Sequence, residues 1–294
     1  MKIIITGSLG NISRPLATTL ISKGQKVTVI SSNPEKSAEI TQLGAEAAIG
    51  SVSDENFLID TFKGADLVYL MVPPDFSVND FRAYIKSIGQ HYANAVKAAG
   101  VNKVVLLSSI GAHLAHGTGP IAGLHDVEQI FCGLENLDVL TLRPGFFYNN
   151  FYANIDLIKH MGIIGSNYEA DQSIVLVDPK DIAAAAAEKI AEGFNGRSIL
   201  YIASDKRKLK EVASAIGTAI GKADLPWVAF DDTQAYDGMV GADLPSEIAK
   251  NYVEMGNAIS SGILWEDFEA KNITPKGKIK LEDFAAQFAL AYNS

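Results

Sequence analysis

Two glycines near the start of the chain have the spacing of a phosphate-binding turn. The segment Thr6–Ser13 reads Thr-Gly-Ser-Leu-Gly-Asn-Ile-Ser. Gly7 can adopt the backbone angles of a tight turn, and Gly10 lets an anion approach the main chain closely. A helix that begins after such a turn directs its first amides and the positive end of its dipole at the anion. The segment therefore predicts a dinucleotide pyrophosphate site, with the small Ser13 in the place of a third glycine.

The polar residues after the second predicted strand bear on which dinucleotide fits. An Asp or Glu at the end of this strand would bind the ribose 2′-hydroxyl of NAD, and an arginine would accommodate the 2′-phosphate of NADP. The strand end has neither, because the chain continues as Ser-Ser-Asn-Pro-Glu-Lys. Ser32, Asn33 and Lys36 could hold a phosphate, and no carboxylate at the strand end would repel it. The sequence therefore favours NADP(H) over NAD(H).

Histidines supply the candidates for proton transfer and for metal binding. His125 is the candidate proton relay or substrate contact because its pKa can lie near neutrality, and an ordinary polar helix residue is the alternative. His113 and His116 have a metal-like spacing but no neighbouring carboxylate, so no metal site is predicted. Glu128 could orient a neighbouring side chain, and Arg143 is expected to form a structural ion pair.

An aromatic run after the sixth predicted strand is the candidate substrate region. The residues are Phe146, Phe147, Tyr148, Phe151 and Tyr152, with two asparagines among them. They could form a wall for a flat acceptor, and Phe147, Tyr148 and Asn149 are the candidate substrate contacts. A hydrophobic hinge between two parts of the chain is the alternative interpretation of the same run.

Charge and composition restrict the classes of partner. The 294 residues include 48% hydrophobic and 20% charged residues, as expected for a globular protein with a sizeable core. The net charge of −9 disfavours nucleic acid and anionic membranes as partners. A short basic run, Lys206 to Lys210, is interpreted as a solvated helix start. A small-molecule acceptor is the expected partner, and a homodimer is possible.

The single cysteine and the first residues bear on the compartment. Cys132 cannot form an internal disulfide or a cysteine-based metal site, and its apolar neighbours predict buried packing. The opening Met-Lys-Ile-Ile-Ile-Thr-Gly has too short an apolar run for a secretory leader, and no stretch approaches the length of a membrane span. These features predict a cytoplasmic protein.

The elements that must position these residues alternate regularly. Apolar strands are predicted at Lys2–Thr6, Val27–Ile30, Ala45–Ile49, Asp66–Val72, Val101–Ser108 and Asp138–Leu142, with helices between them, including a long one over Phe76–Ala99. This alternation predicts an α/β fold with a Rossmann-type, doubly wound parallel sheet in the order 3-2-1-4-5-6. Residues 1–148 would form the NAD(P)-binding Rossmann domain. Residues 149–294 would form a smaller α+β part that binds substrate as a lid and is interleaved with the first.

Several segments together carry a family resemblance. They are ITGSLGNIS, SSNPEKS, GADLVYLMVPP, VNKVVLLSSIGAH, LHDVEQIF, LTLRPGFFYNN and VDPKDIAAAAAEKI. In this order and spacing the chain resembles the NmrA-like family of atypical short-chain dehydrogenases/reductases, which includes bacterial NAD(P)H quinone oxidoreductases. The resemblance extends over nearly the whole chain.

The resemblance implies roles for individual residues of the cofactor site. It places the pyrophosphate over Gly7, Ser8, Leu9, Gly10, Asn11 and Ile12. It places Val72 and Pro73 along the cofactor, and Ser108 near the nicotinamide ribose. It also implies that Pro144 and Phe146 face the nicotinamide ring.

The chain departs from the wider superfamily in one respect that bears on function. No tyrosine is followed four residues later by lysine, so the usual Tyr-x-x-x-Lys acid is missing. A conjugated acceptor such as a quinone does not require that acid, because water or His125 could protonate its reduced form. The sequence therefore favours an NAD(P)H-dependent oxidoreductase that reduces a quinone or similar acceptor. The alternatives are a non-catalytic redox sensor that acts through protein partners and a sugar-nucleotide epimerase.

Overall fold

The computed structural model describes all 294 residues and contains twelve strands. The strands are β1 (Lys2–Ile5), β2 (Lys26–Ser31), β3 (Glu46–Ile49), β4 (Leu67–Leu70), β5 (Lys103–Leu107), β6 (Asp138–Pro144), β7 (Phe146–Phe147), β8 (Ile164–Ser166), β9 (Ser173–Val177), β10 (Arg197–Ile202), β11 (Asp205–Lys208) and β12 (Trp227–Ala229).

Twelve α-helices accompany the strands. They are α1 (Ser13–Ser22), α2 (Lys36–Gln42), α3 (Glu55–Phe62), α4 (Phe81–Ala99), α5 (Pro120–Cys132), α6 (Ile155–Met161), α7 (Pro179–Glu192), α8 (Leu209–Ala219), α9 (Asp232–Gly241), α10 (Ser246–Ser261), α11 (Glu266–Ala270) and α12 (Leu281–Asn293). Two short 3-10 helices, Tyr148–Asn154 and Ile263–Trp265, complete the regular structure. No helix combines the length and the apolar character that crossing a membrane requires.

A seven-stranded sheet with the order β10-β6-β5-β4-β1-β2-β3 carries the first half of the chain. Strands β1 to β6 pair in parallel, and Ile3, Ile4 and Ile5 of β1 are fully buried. Such continuous apolar runs are typical of parallel strands that are covered on both faces. The predicted α/β class, the Rossmann-type sheet and the order 3-2-1-4-5-6 are confirmed, and β10 adds a seventh strand beside β6.

Helix α4 begins five residues later than the sequence predicts. Its first residue is Phe81, because the Asp80 carboxylate accepts a hydrogen bond from the Ala83 amide at 2.8 Å and caps the helix. Residues 76–80 belong to the loop instead. The far end agrees with the prediction, since Gly100 ends the helix with φ +68°.

The chain divides into two compact units. The first consists of Met1–Ser109, Gly123–Arg143 and Ile182–Leu200, and the second of Ile110–Ala122, Pro144–Asp181 and Tyr201–Ser294. Each unit is thus assembled from discontinuous segments, and the sequence predicts two parts, 1–148 and 149–294, with the second interleaved with the first. The substrate-binding role expected for the second part stays a prediction.

The second unit contains two small sheets and an aromatic core. One sheet has the order β11-β9-β7, and the other pairs β12 with β8. Tyr148, Phe151, Trp227, Phe284 and Phe288 are buried together with the apolar residues of β9 and α8. Ring centroids within this core lie between 5.1 and 6.4 Å apart, as in packed aromatic clusters.

The prediction that Cys132 is buried is wrong. The side chain is exposed because Cys132 is the last residue of α5. Arg197 occupies this helix end instead, where its guanidinium donates hydrogen bonds to the carbonyls of Phe131 and Leu134. The apolar neighbours of the cysteine are therefore a poor guide to its own burial.

Candidate functional site

The turn between β1 and α1 requires glycine at position 7. Gly7 has φ +90°, and a Cβ placed on it would lie 2.8 Å from both Met71 Cγ and Ser13 Oγ. Left-handed backbone and the absence of space each exclude a side chain. The amide of Gly10 closes the turn by donating to the Gly7 carbonyl at 3.1 Å. The main chain at Gly7 therefore lies so close to Met71, the residue after β4, that no side chain fits between them.

Ser13, in the place of the third glycine, fits without opening the turn. Its side chain is buried, and its hydroxyl donates a hydrogen bond to the Thr6 carbonyl at 2.8 Å. Helix α1 starts beside it with no acidic residue in its first turn and with Ile12 as a cap that has no side-chain acceptor. A helix start without its own anion leaves its amides available to an external one.

Ser8 joins the turn to the end of β2. It has φ +54°, a left-handed conformation that is uncommon for a residue other than glycine. Its amide donates to the Ile30 carbonyl at 3.0 Å, and its hydroxyl donates to Ser31 Oγ at 2.9 Å. The strain at Ser8 is thus offset by two contacts that hold the turn and the strand end together.

An ionic cluster joins α2, the helix after β2, to the first turn of α1. It contains the predicted Lys36 and also Arg14, which the sequence alone did not single out. Lys36 donates to the Glu39 carboxylate at 2.9 Å, and the Arg14 guanidinium of α1 contacts the same carboxylate. The Arg14 hydrogen bond, followed by that of Lys36, lowers the pKa of Glu39. Both cations are about 44% exposed, so solvent and a ligand can reach them.

The segment that follows β2 contains no arginine, as the sequence shows. Arg14 comes instead from the first turn of α1. A signal was present, because Arg14 directly follows the phosphate turn. Of the other predicted residues, Ser32 is exposed, and the Asn33 side chain accepts from the Glu35 amide at 2.9 Å.

The segment after β4 lies against the turn. Thr6 Oγ1 accepts a hydrogen bond from the Met71 amide at 2.8 Å, which fixes the two strand ends to each other. Two tyrosines of α4 hold the following residues, since Tyr92 donates to the Met71 carbonyl at 2.7 Å and Tyr84 to the Pro73 carbonyl at 2.9 Å. The structure thus brings the predicted Val72 and Pro73 to the same edge of the sheet as the phosphate turn.

Three buried polar side chains, those of Ser108, Glu128 and Arg143, form a hydrogen-bonded network after β5. Ser108 is almost fully buried, and its hydroxyl donates to Glu128 Oε1 of α5 at 2.5 Å. Arg143 of β6 donates to the same carboxylate through Nε at 3.0 Å and Nη2 at 2.6 Å. Arg143 therefore forms the expected structural ion pair, and Glu128 orients a neighbour as the sequence suggested.

His125 lies on α5 one turn before Glu128. It is half-buried, and the next residue, Asp126, makes a bidentate ion pair with Arg82 of α4 at 2.8 and 2.9 Å. The hydrogen bond from Arg82 is the main cause of a lowered pKa at Asp126, to which His125 also contributes. The relay role of His125 stays a prediction. No group of three or more His, Cys, Asp or Glu side chains is arranged to hold a metal ion.

The candidates of the second unit differ in how accessible they are. Pro144 is buried, whereas Phe146, Phe147 and Asn149 are half-buried. Tyr148 is fully buried in the aromatic core, and its hydroxyl donates to Asp205 Oδ2 at 2.8 Å. Burial is the first cause of the raised pKa of this hydroxyl. The expectation that the Tyr148 side chain contacts substrate is therefore corrected, because packing and Asp205 occupy it from all sides.

Comparisons with known proteins agree with this geometry. The NAD(P)H-binding family model matches residues 7–159, more than half of the chain. A search of curated proteins finds no match.

Three solved structures share the fold across almost the whole chain. The NADPH-dependent quinone oxidoreductase of Escherichia coli in complex with NADPH has a TM-score of 0.82 at 21% identity, covering 97% of this chain and 99% of that one. The Citrobacter triphenylmethane reductase with NADP(H) gives 0.82 at 19%, covering 97% and 99%. A nucleoside-diphosphate-sugar epimerase of Staphylococcus aureus gives 0.78 at 17%, covering 97% and 100%.

These neighbours and the family match fit the NmrA-like group of atypical short-chain dehydrogenases/reductases to which the sequence motifs pointed. The chain belongs to the NAD(P)H-binding family.

Proposed function

We propose that this protein is an NADPH-dependent reductase of quinones or similar conjugated acceptors. The observation that carries the proposal is the rigid turn after β1, joined to both neighbouring strand ends and followed by an uncapped helix start. Two structural neighbours, a quinone oxidoreductase and a triphenylmethane reductase, support the acceptor class.

The residues of the first unit fit a nicotinamide dinucleotide. The segment from Gly7 to Ile12 would hold the pyrophosphate, because a side chain at Gly7 would fill the cradle and no acidic side chain competes at the helix start. Val72 and Pro73 would line the nucleotide along the same sheet edge. When bound, the reduced nicotinamide supplies the hydride, so the protein itself contributes binding and orientation.

Arg14 and Lys36 favour NADPH. Both cations contact Glu39 of α2, the helix that follows β2, and in this type of fold the 2′-phosphate of an adenosine ribose lies near the end of that strand. Arg14 can bind a phosphate through two parallel hydrogen bonds and Lys36 through its point charge. Glu39 would hold both cations in place before the nucleotide arrives and would compete with the phosphate afterwards.

Proton supply does not require a dedicated acid here. The chain has no Tyr-x-x-x-Lys pair, and the Ser108 proton is donated to Glu128. A reduced quinone is readily protonated by water, and His125 is the one candidate relay on α5. Epimerisation of a sugar nucleotide would need a tyrosine base and is therefore not proposed.

Turnover with a panel of acceptors tests this proposal. NADPH and NADH are titrated by nicotinamide fluorescence, and benzoquinones, naphthoquinones and a triphenylmethane dye are then added while NADPH absorbance is followed. Consumption of NADPH that saturates with acceptor would support a reductase. Tight binding without turnover on any acceptor would instead favour a redox sensor that acts through protein partners.

A further inference from the structure

The hydrogen-bonded side chains of Ser108, Glu128 and Arg143 are all buried. The side chains of Glu128 and Arg143 are only 9% and 7% exposed, and Ser108 is 5% exposed. An ion pair in such surroundings must recover a large desolvation cost, and pairs of apolar residues are often as stable. The two bonds from Arg143 leave the Glu128 carboxylate one well-defined orientation, and the bond from Ser108 completes its contacts.

The position of Ser108 in the sheet indicates a function for the fixed orientation of the Glu128 carboxylate. It follows β5, which pairs with β4, and β4 pairs with β1. Ligands of open parallel sheets lie outside the carboxyl ends of the strands. Ser108 therefore belongs to the same edge as the phosphate turn and Val72–Pro73, at the end opposite to Arg14 and Lys36. A dinucleotide with its 2′-phosphate near these cations would extend its nicotinamide half toward Ser108.

We infer that Glu128 is a positioning residue that turns the Ser108 hydroxyl into a hydrogen-bond acceptor for the nicotinamide half of the nucleotide. The Ser108 proton is committed to Glu128 Oε1, so the oxygen presents only lone pairs. A ribose hydroxyl or the carboxamide N–H is the chemical class of donor that such an oxygen selects. Arg143 acts one step further away, because its two hydrogen bonds fix the orientation of the carboxylate. This inference rests on the proposed nucleotide site.

A double-mutant cycle separates positioning from mere structural support. Ser108→Ala, Glu128→Gln and the double variant are compared by NADPH dissociation constant and by the first-order rate of NADPH oxidation with a naphthoquinone. Each single change is expected to weaken NADPH binding about three- to tenfold, the effect of one hydrogen bond. The double variant is expected to be no weaker than either, because Glu128 acts only through Ser108.

Two controls make the cycle specific. Ser108→Thr keeps a hydroxyl and is expected to restore part of the NADPH affinity that Ser108→Ala loses. Asp126→Asn neutralises a bidentate carboxylate on the same helix that has no contact with Ser108, and it is expected to leave NADPH affinity unchanged. If Glu128→Gln does not fold, Glu128→Gln combined with Arg143→Met removes both charges of the pair together and replaces it in the cycle.

The outcomes are distinguishable from those of the proposed function. Effects on affinity that simply add in the double variant, or a Glu128 variant that loses thermal stability while binding NADPH normally, would overturn the inference. Wild-type protein that binds NADPH but oxidises it with no acceptor would contradict the reductase proposal alone. In that case the cycle in the dissociation constant still decides whether Glu128 positions Ser108.

Discussion

Gly7 combines a left-handed backbone with a close approach to neighbouring side chains. Gly24 has a similar φ of +76°, but a Cβ there would have open space around it, whereas at Gly7 it would meet Met71 and Ser13 at 2.8 Å. Backbone strain on substitution is therefore common to both positions, and the close approach distinguishes Gly7 from Gly24. This difference gives the turn a matched pair of variants.

Gly7→Ala is expected to lower the free energy of unfolding by about 2–4 kcal/mol, since left-handed strain and overpacking add. Gly24→Ala is expected to cost only about 1 kcal/mol, from strain alone. Urea unfolding followed by circular dichroism measures both. Equal losses in the two variants would show that the contact with Met71 and Ser13 is unimportant.

Arg14→Ala is expected to raise the dissociation constant of NADPH about tenfold and to leave that of NADH nearly unchanged, because only the 2′-phosphate meets the guanidinium. Glu39→Gln is expected to tighten NADPH binding, since the two cations lose their internal anion. Lys63→Ala, which breaks an exposed pair with Asp60, serves as the control. Equal losses for NADPH and NADH in Arg14→Ala would refute a 2′-phosphate contact.

Contacts between residues of one continuous segment can be predicted from the sequence, whereas contacts that join two separate segments cannot. The turn from Gly7 to Ser13 is continuous in sequence, so spacing alone predicts it. The cluster of Arg14, Lys36 and Glu39 brings together α1 and α2, and only folding places its members side by side. The sequence places the Tyr148 side chain against substrate, whereas the structure buries it. This burial depends on Asp205 and α12, which lie far along the chain, so the residues around Tyr148 do not reveal it.

At the scale of elements, helices α4 and α5 pack unusually closely. A Cβ on Gly89 of α4 would lie 2.6 Å from Val127 Cγ2 of α5, and one on Gly123 of α5 would lie 2.9 Å from Ile85 Cβ. Glycine thus allows close approach from both helices. Since α5 also carries Glu128 and His125, this packing holds the candidate polar residues at a fixed distance from α4.

Gly89→Ala is expected to lower the free energy of unfolding by about 1–3 kcal/mol in spite of the better helix propensity of alanine, because Val127 must move. Gly238→Ala in α9 has open space and is expected to stabilise the protein by up to about 1 kcal/mol. Thermal unfolding of both variants measures the contrast. A stabilising Gly89→Ala would mean that the two helices separate without cost.

The Arg82–Asp126 pair that joins the same helices predicts a pH dependence. Arg82 lowers the pKa of Asp126 below its ordinary value of 3.8, so the folded state favours the charged carboxylate. Its contribution to stability is therefore present above pH 3.8 and is lost as the pH falls through the lowered pKa. Because the pair is 33% and 16% exposed, Asp126→Asn is expected to cost only about 1 kcal/mol near neutrality.

Urea unfolding of wild type and Asp126→Asn across this pH range checks the prediction. The difference between the two proteins is expected to stay constant from pH 5 to neutrality, in keeping with the direction of the shift. It should disappear under strongly acidic conditions. A difference that grows on acidification would have the wrong sign for this ion pair.

The parallel sheet could be predicted from the sequence because each of its strands and helices has a local pattern of apolar residues. Each parallel strand is a short apolar run, and each crossover helix has its own amphipathic period. The start of α4 was misplaced since Phe76 extends the apolar period into the loop, while the Asp80 cap decides where the helix begins. Capping by a single side chain outweighs a weak periodic signal.

For the whole molecule, the positions and partners of the charged side chains are more informative than the net charge. The basic run from Lys206 to Lys210 lies on β11 and the start of α8, and every cation in it has a carboxylate partner. The partners are Glu269, Asp205, Glu282 and Asp171. Lys208 and Lys210 lie at the start of α8 and are 46% and 55% exposed, in agreement with a solvated helix start, whereas Lys206 and Arg207 lie on the edge strand β11. Its cations also protect this edge against pairing with another chain.

The division into two units depends on contacts between distant segments, which spacing and composition do not reveal. Residues 110–122 belong to the second unit although they precede residue 148. Residues 182–200 belong to the first unit although they follow it. The strict alternation of strands and helices, by contrast, fixes the first unit almost completely. The proposed nucleotide site therefore lies in the unit whose strands and helices the sequence predicts best.

Hydrogen exchange with and without saturating NADPH tests the central claim most directly, because it reports both whether the nucleotide binds and where. We predict slower exchange of the amides from Gly7 to Arg14 and of Met71 and Val72, with NADH giving the same pattern at higher concentration. Binding of NADPH without protection of the Thr6–Ser13 turn, or no binding at all, would contradict it.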